Sequence, residues 1–272
     1  MKRNLTRIAI ALIVATFTFS ACKKSESGIK PTNTPKPNPD AVAKQIALSL
    51  YNSLSGKMGG TSINNGIKAP ANLIRHNGRS LDAVSSLCGF TLDTAYSGLT
   101  TNGDTSTWSS TKLIFTNTCT TSNVDGYAVY DSVKTEVSTA SFVNSYQNIQ
   151  KYNVVALDNT FKLVSCNGSI NTTIWNTLYT NTSTTGTYHA LGCNYNLQGL
   201  VIDFSSGTAN ITKGTAPYTS YTKDIDSTTG AEGVTINYTG TIEFLGNYKA
   251  KLTIDPNHYY TIDYQTNTIT PL

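Results

Sequence analysis

Charge is scarce in this sequence. Only 13% of its residues are Asp, Glu, Lys or Arg, against about 25% in ordinary soluble proteins. The formal net charge of +4 rests on 20 basic and 16 acidic residues. Three of the basic ones, Lys2, Arg3 and Arg7, stand in the first seven positions, and no acid precedes Glu26. Without that leading piece the balance is 17 against 16. A near-neutral chain offers no extended basic surface for nucleic acid.

Histidine is also scarce, with His76, His189 and His258 scattered along the chain. There is no Cys-x-x-Cys and no His-Glu-x-x-His, so zinc-finger and zinc-protease spacings are absent. There is no Gly-x-Ser-x-Gly, and Gly59-Gly60 is not followed by the Lys-Ser or Lys-Thr pair of a phosphate loop. A catalytic triad assembled from distant strands is recognised by geometry rather than by order, and that reading stays open. Asp224 and Asp226 form an Asp-x-Asp pair, with Asp203 and Asp263 on or beside strand-like runs. Oxygen ligands at such spacing suit Ca²⁺, but the further acids and closing Glu of an EF-hand are missing, so a solvated turn is expected. No metal or other cofactor is expected.

Long hydrophobic runs are lacking too. The longest, Ile8 to Phe17, is about half of what a membrane-spanning helix needs. Preceded by the basic start and ending in Phe19-Ser20-Ala21-Cys22, it reads as a secretory signal. The small residues before Cys22 resemble the lipobox of bacterial lipoproteins. In those proteins the cysteine thiol takes a diacylglyceryl group and the new amino end is acylated. Two or more acyl chains anchor stably where one is marginal. The expectation is cleavage before Cys22, with residues 1–21 removed and the mature chain held on a membrane through lipid on Cys22.

Residues 22–40 read as the lipid anchor and a tether. Pro31, Pro35, Pro37 and Pro39 lie there among Lys, Ser, Asn and Thr. Such a stretch favours extended conformations and can reach on the order of 50 Å.

What the sequence does have is one helical stripe and many strand patterns. Val42, Ile46, Leu50 and Leu54 recur every four residues, flanked by Ala43 and Ala47. This predicts one helix over about 41–55, with Asp40 as N-cap and Gly56 ending it. Lys57 to Arg79 reads as irregular. From Leu81 onward the texture is strand-like. In Val234 to Phe244 the even positions are apolar, apart from Gly240, and the odd ones polar. Tyr127, Val129 and Val133 obey the same period of two, as do Tyr260, Ile262 and Tyr264. Val201-Ile202-Asp203-Phe204 reads as a strand buried on both faces. Turn residues separate these runs at Asn102-Gly103, Asn123 to Gly126, Asn159-Thr160, Ser205 to Gly207, Thr229-Gly230 and Gly246-Asn247.

Strands joined by short turns are antiparallel. The fold class expected for 41–272 is all-β: an antiparallel meander forming a strongly curved sheet, half-open barrel or sandwich, preceded by one short helix.

With Cys22 lipidated, Cys88, Cys119, Cys166 and Cys193 remain. An even number in an exported chain suggests disulfides, of which four cysteines allow three pairings. Cys88–Cys119 with Cys166–Cys193 is preferred, because both spans are local in a meander.

Aromatics are plentiful, with 16 Tyr and 8 Phe beside only 2 Trp. Tyr127, Tyr130, Tyr146, Tyr152, Tyr188, Tyr195, Tyr218, Tyr221, Tyr259, Tyr260 and Tyr264 all fall on strand-like runs. Rings stack on sugar faces, so a glycan platform is conceivable; the plainer reading is that Tyr fills half-buried sheet faces. Trp108 and Trp175 are too isolated to name a site.

Several stretches carry a resemblance: Ala43 to Ala47, Gly59-Gly60, Cys88-Gly89-Phe90, Cys119-Thr120, Asp125-Gly126-Tyr127, and Gly240 to Asn247 leading to Thr253-Ile254. Together they resemble an uncharacterised family of lipoproteins of Bacteroidetes. The resemblance implies that phylum and a β-rich fold, and brings no activity. Exported proteins of that phylum are often O-glycosylated at Asp-Ser/Thr before a small or aliphatic residue or Thr. That implies Thr94, Ser132 and Ser227 as acceptors. Lys23 and Lys24 do not match the aspartate signal for inner-membrane retention, so the outer membrane is expected, on a face the sequence leaves open.

Three functions follow as expectations. The first is a non-catalytic envelope lipoprotein, structural or ligand-binding. The second is a carbohydrate-binding accessory lipoprotein of a polysaccharide-uptake system. The third is a hydrolase with an unrecognised site. Tyrosines or Trp108 at a groove would favour the second, and a buried His beside an acid and a nucleophile the third. The oligomeric state is not readable.

Overall fold

A computed structural model describes residues 38–66, 88–120, 123–179, 186–226 and 231–272. Cys22, the signal, all of the tether before Asn38, His76 and Ser227 lie outside the described residues. Pro37–Leu272 forms one compact unit.

The described residues open with one helix, α1 (Pro39–Leu54). Eleven strands follow: β1 (Thr91–Asn102), β2 (Thr105–Thr118), β3 (Gly126–Ser138), β4 (Phe142–Ala156), β5 (Leu163–Tyr179), β6 (Gly186–Asp203), β7 (Asn210–Asp226), β8 (Ala231–Gly246), β9 (Lys249–Ile254), β10 (His258–Asp263) and β11 (Thr268–Pro271). They form one antiparallel sheet in strictly sequential order. The sheet is open, with β1 and β11 as its two edges. The all-β meander behind a single helix is therefore present as the sequence pattern predicts, in one continuous layer.

The helix starts two residues earlier than expected, at Pro39 instead of 41. Asn38, not Asp40, is the N-cap, and its side chain accepts from the Asp40 N–H at 3.0 Å. Pro39 explains the shift: it has no N–H to satisfy and its fixed φ already suits the first helical position. Asp40 then lies in the first turn, where a carboxylate is favoured by the helix dipole. Ser55 is the C-cap, and Gly56 follows at φ +73°.

The apolar stripe is broader than four positions. Val42, Ala43, Ile46, Ala47, Ser49, Leu50, Ser53 and Leu54 are all buried. At 100° per residue they cover an arc of about 160°. The sheet bends around that arc. On one side Ser49 Oγ shares a hydrogen bond with Thr172 Oγ1 at 2.7 Å, and Ser53 Oγ donates to Asn148 Oδ1 at 3.0 Å. Gln150 Nε2 donates to the Ser53 carbonyl and Tyr195 Oη to the Ile46 carbonyl, both at 2.7 Å. On the other side Tyr51 stacks on Tyr264 with centroids 4.3 Å apart. The helix thus bridges β4–β6 to the last short strands. The buried hydroxyls and amides beneath it fix its position as well as its depth, since each loses a partner if the helix slides.

The helix divides the sheet into an inner face, which it covers, and an outer face. Beside α1 the strands alternate cleanly: Tyr152 and Val154 are buried while Lys151, Asn153 and Val155 are exposed. Beyond its reach the inner face opens. Along β8, Ile242 and Phe244 are buried and Val234 is 54% exposed, although all three share the apolar parity. Val201 to Phe204 departs from its expectation. Only Ile202 is buried, because this end of β6 has the core on one side only.

The cysteines split in a way the spans do not show. Cys88 and Cys119 are bonded, with Cα atoms 5.8 Å apart, and they close the open end of the β1–β2 hairpin. Cys166 and Cys193 are free and buried, so the expected second disulfide is absent. They lie on neighbouring strands but out of register. Cys166 faces Leu200, and Cys193 faces Thr172. Six positions at about 3.3 Å each separate them along the strand, far beyond the reach of a disulfide.

Candidate functional site

Side chains at one level of neighbouring strands form rows across the outer face. In one row Asn171 faces Asn194, which faces Thr219. In the next, Thr173 faces Gly192, Gly192 faces Tyr221, and Tyr221 faces Asn237. Between these rows lies a depression of about 280 Å³, lined by Asn171, Thr173, Gly192, Asn194, Thr219, Tyr221 and Asn237, together with Thr172, Cys193 and Ser220 of the rows' inward-facing neighbours.

The glycine makes it a depression. A Cβ built on Gly192 would overlap the Tyr221 ring, so the ring lies across bare backbone. A half-exposed aromatic plane, three carboxamides and two threonine hydroxyls therefore converge on one shallow surface, and none of them is charged at neutral pH. Tyr188 belongs to the same cluster, and burial followed by the neighbouring Tyr221 holds its hydroxyl above the ordinary phenol value. Trp175 is half-buried one row away, facing Ser145 and Ala190. Chemically such a surface can stack one apolar face of a ligand and hydrogen-bond its hydroxyls.

The structure separates the tyrosines by parity. Tyr127, Tyr152, Tyr195, Tyr218, Tyr260 and Tyr264 are buried and form part of the core, so they are not part of a glycan platform. Tyr218 Oη donates to the Thr253 carbonyl at 2.9 Å. Burial raises the hydroxyls of Tyr127, Tyr152, Tyr195, Tyr218 and Tyr264 well above the phenol range. Tyr130, Tyr146, Tyr188, Tyr221 and Tyr259 remain at least partly exposed. Lys134 lies over the Trp108 ring at 5.4 Å and Lys251 over Tyr259 at 5.2 Å, so Trp108 stands apart from the depression.

His189 Nδ1 lies 2.6 Å from Asp224 Oδ1 on the inner face. Its Nε2 is buried and has no hydrogen-bond partner among the described residues, so no hydroxyl or thiol completes a triad there. His258 is exposed at the start of β10. Among the described residues no three His, Cys, Asp or Glu side chains gather closely enough to hold a metal ion. Asp203 caps its own turn, accepting from the Ser205 N–H at 2.7 Å. Asp263 does the same with Gln265 at 2.9 Å. Both carboxyls are held below the ordinary range, Asp203 chiefly by the Ser205 hydroxyl and then its N–H, Asp263 chiefly by the Thr266 N–H. The thiols are inert by environment: burial pushes Cys166 up to about 12 and also raises Cys193.

Of the proposed acceptors, Thr94 is half-buried on β1 beside Asp93, which pairs with Lys112. Ser132 is half-buried between two buried residues, Asp131 and Val133.

Asp131 is the unexpected ionisable group. It is 2% exposed and accepts from the Thr61 N–H at 2.5 Å and from Thr61 Oγ1 at 2.8 Å. Gly60 (φ +86°) permits the approach, since a Cβ there would meet Asp131 Oδ2 at 2.8 Å. Burial outweighs both hydrogen bonds and raises the carboxyl above its ordinary 3.8. The folded form therefore keeps a proton that the unfolded form has released. Stability from this group is greatest at low pH and declines as pH rises from about 4 through the raised value. Asp131→Asn keeps an acceptor for Thr61 and removes the titration. Its stability relative to the parent, from denaturation midpoints across pH 4–8, is expected to improve steadily as pH rises. A difference independent of pH would show that Asp131 does not titrate in this window.

Comparison with known protein families, with curated proteins and with solved structures found no match.

Proposed function

We propose that this chain is a lipoprotein of the bacterial outer membrane, anchored through Cys22, and that its β-rich domain acts by binding rather than by catalysis. The ligand class we favour is a neutral glycan. One observation carries that choice: the outer-face depression around Gly192 combines the Tyr221 ring with Asn171, Asn194, Asn237, Thr173 and Thr219 and contains no charged group. Sugars present an apolar ring face and a rim of hydroxyls, and this surface supplies a partner for each. The proline-rich tether would keep such a face clear of the membrane.

Affinity electrophoresis in gels containing neutral polysaccharides (starch, mannan, xylan, dextran) or acidic ones (pectin, alginate) tests the reading. Retardation by at least one neutral polymer is expected, and Tyr221→Ala should weaken it at least about tenfold, the loss of a central aromatic contact. Far-ultraviolet circular dichroism should be unchanged. No retardation in any gel, or equal retardation of parent and Tyr221→Ala, would sink the proposal.

A further inference from the structure

Two buried oxygens on facing residues lack a donor. Asp131 on β3 and Gln150 on β4 are paired across the ladder, and both side chains turn inward, 2% and 0% exposed. Thr61 donates twice to Asp131 Oδ2, and Gln150 Nε2 donates to the Ser53 carbonyl at the end of α1. That leaves Asp131 Oδ1 and Gln150 Oε1, both buried and both without a partner. A carboxylate and a carboxamide oxygen only accept, so they cannot satisfy each other while Asp131 is ionised. A buried acceptor left bare bears its full desolvation penalty, and a charged one bears the most.

No cation offsets that charge among the described residues. Leu113 faces Asp131 from β2, and Val129 and Val133 flank it on β3. Gln150 faces it from β4, with Asn148 and Tyr152 on either side, and Gly60 and Thr61 lie over its carboxyl. Of these only Tyr152 titrates, with Tyr127 and Cys166 beside it, and burial keeps all three protonated. The nearby lysines are engaged elsewhere: Lys112 with Asp93, Lys134 over Trp108 and Lys57 over Tyr51.

We propose that Asp131 is a proton-operated latch: its protonated carboxyl donates from Oδ1 to Gln150 Oε1 and holds residues 56–66 as a strap against β3, and loss of the proton releases the strap. A single proton, taken from water and returned to it, gives both orphaned oxygens a partner. It completes a chain in which Thr61 donates to Asp131, Asp131 to Gln150 and Gln150 to the Ser53 carbonyl, so strap, β3, β4 and α1 are joined in one direction. Among the described residues one other hydrogen bond ties the strap to the sheet, from Asn148 Nδ2 to the Gly59 carbonyl at 3.4 Å. The strap therefore depends chiefly on the group that titrates. With the strap open the carboxyl meets water and keeps its ordinary value, whereas burial under the closed strap raises it. Closure is accordingly fullest below about pH 4 and weakens as pH rises through the raised value.

The test is amide hydrogen exchange in the intact protein across pH 4–8, comparing the parent with Asp131→Asn. Asn offers Thr61 the same acceptor and Gln150 an N–H, so it copies the protonated latch at every pH. The ratio of Thr61 exchange rates, parent over variant, should be near one at pH 4 and rise on the order of tenfold by pH 8, the worth of one buried hydrogen bond. In the parent at pH 8 Thr61 should exchange well ahead of the amides of β5 and β6. A level ratio would overturn the proposal, and so would exchange of Thr61 only at the rate of those core amides, which would mean that the strap opens only when the whole domain unfolds. Infrared titration of the parent gives a second reading that needs no variant. The carbonyl band of a buried carboxylic acid should persist at about pH 5 and vanish over the interval in which Thr61 exchange rises. Absence of that band at about pH 5 would overturn the proposal; it is the result if a bound water donates to both oxygens and the carboxyl stays ionised.

Discussion

Gly240→Ala is expected to destabilise the domain by about 3 kcal/mol or more, placing it among the severe single substitutions. The position is the one exception in an otherwise regular strand. In Val234 to Phe244 every other even residue is apolar and faces inward. Gly240 also faces inward, paired with Tyr218 on β7 and Ile254 on β9. A Cβ there would overlap the Thr253 carbonyl oxygen, and it would stand 2.7 Å from Tyr218 Oη. Those two atoms are joined by the hydrogen bond that the buried Tyr218 hydroxyl depends on. A methyl group must therefore push β9 away, turn Tyr218 out of its place, or both. Leaving the hydroxyl without a partner adds about 1–3 kcal/mol to the steric cost. Urea denaturation of parent and variant measures the sum. A loss under 1 kcal/mol would mean that the β8–β9 pairing adapts far more readily than its geometry implies.

The second large effect concerns the disulfide. Replacing Cys88 and Cys119 together by Ser should cost about 3.5 kcal/mol through loop-closure entropy over their 31-residue separation. For a domain of this size that lowers the melting temperature by about 10 °C. The bond matters because of where it sits. The β1–β2 hairpin is at the open edge, and α1 makes its main contacts with β5, β6 and β9–β11 rather than with this hairpin. Little besides Leu92, Leu113 and Phe115 ties it to the core. Unfolding is accordingly expected to start there, with hydrogen exchange in β1 and β2 rising before that in β5 and β6. Cys166→Ala should behave differently, because it removes a fully buried sulfur and no crosslink. A Cys88/Cys119 variant with unchanged melting temperature would place the stabilising contacts of this edge elsewhere.

These contrasts show what the sequence could and could not disclose. The helix was legible because Val42, Ile46, Leu50 and Leu54 keep one period over four turns. Its start was misplaced because Pro39 reads as tether until its suitability for the first helical turn is considered. The meander was legible because turn residues fall between alternating runs. Cysteine pairing was half legible. Cys88 and Cys119 flank a short hairpin whose register needs no correction. Cys166 and Cys193 lie inside β5 and β6, and their meeting depends on a register set by the β5–β6 turn and by the bulge between Cys166 and Gly168.

The tyrosines could have been divided from sequence by parity with their apolar neighbours. Tyr127 shares the parity of Val129 and Val133, and Tyr130 has the other. The depression was not legible, since its residues come from four strands and meet only through three registers. The one available signal was Gly192, a glycine inside a strand, which often marks close approach of another group. Asp131 gave no signal at all, because its partner Thr61 is 70 positions away.

Three separate fates are expected for the five cysteines, and one measurement tests all of them. The protein is extracted from membranes under native conditions and treated with a thiol-alkylating reagent, then its intact mass is determined before and after unfolding without reductant. The predicted result is a chain beginning at Cys22 and carrying acyl chains, with no alkyl group added in the native state and two added after unfolding. A chain that retains residues 1–21, or that lacks lipid, would contradict the anchor. Four alkyl groups after unfolding would contradict the Cys88–Cys119 bond, and none would restore the second disulfide that the β5–β6 register rules out.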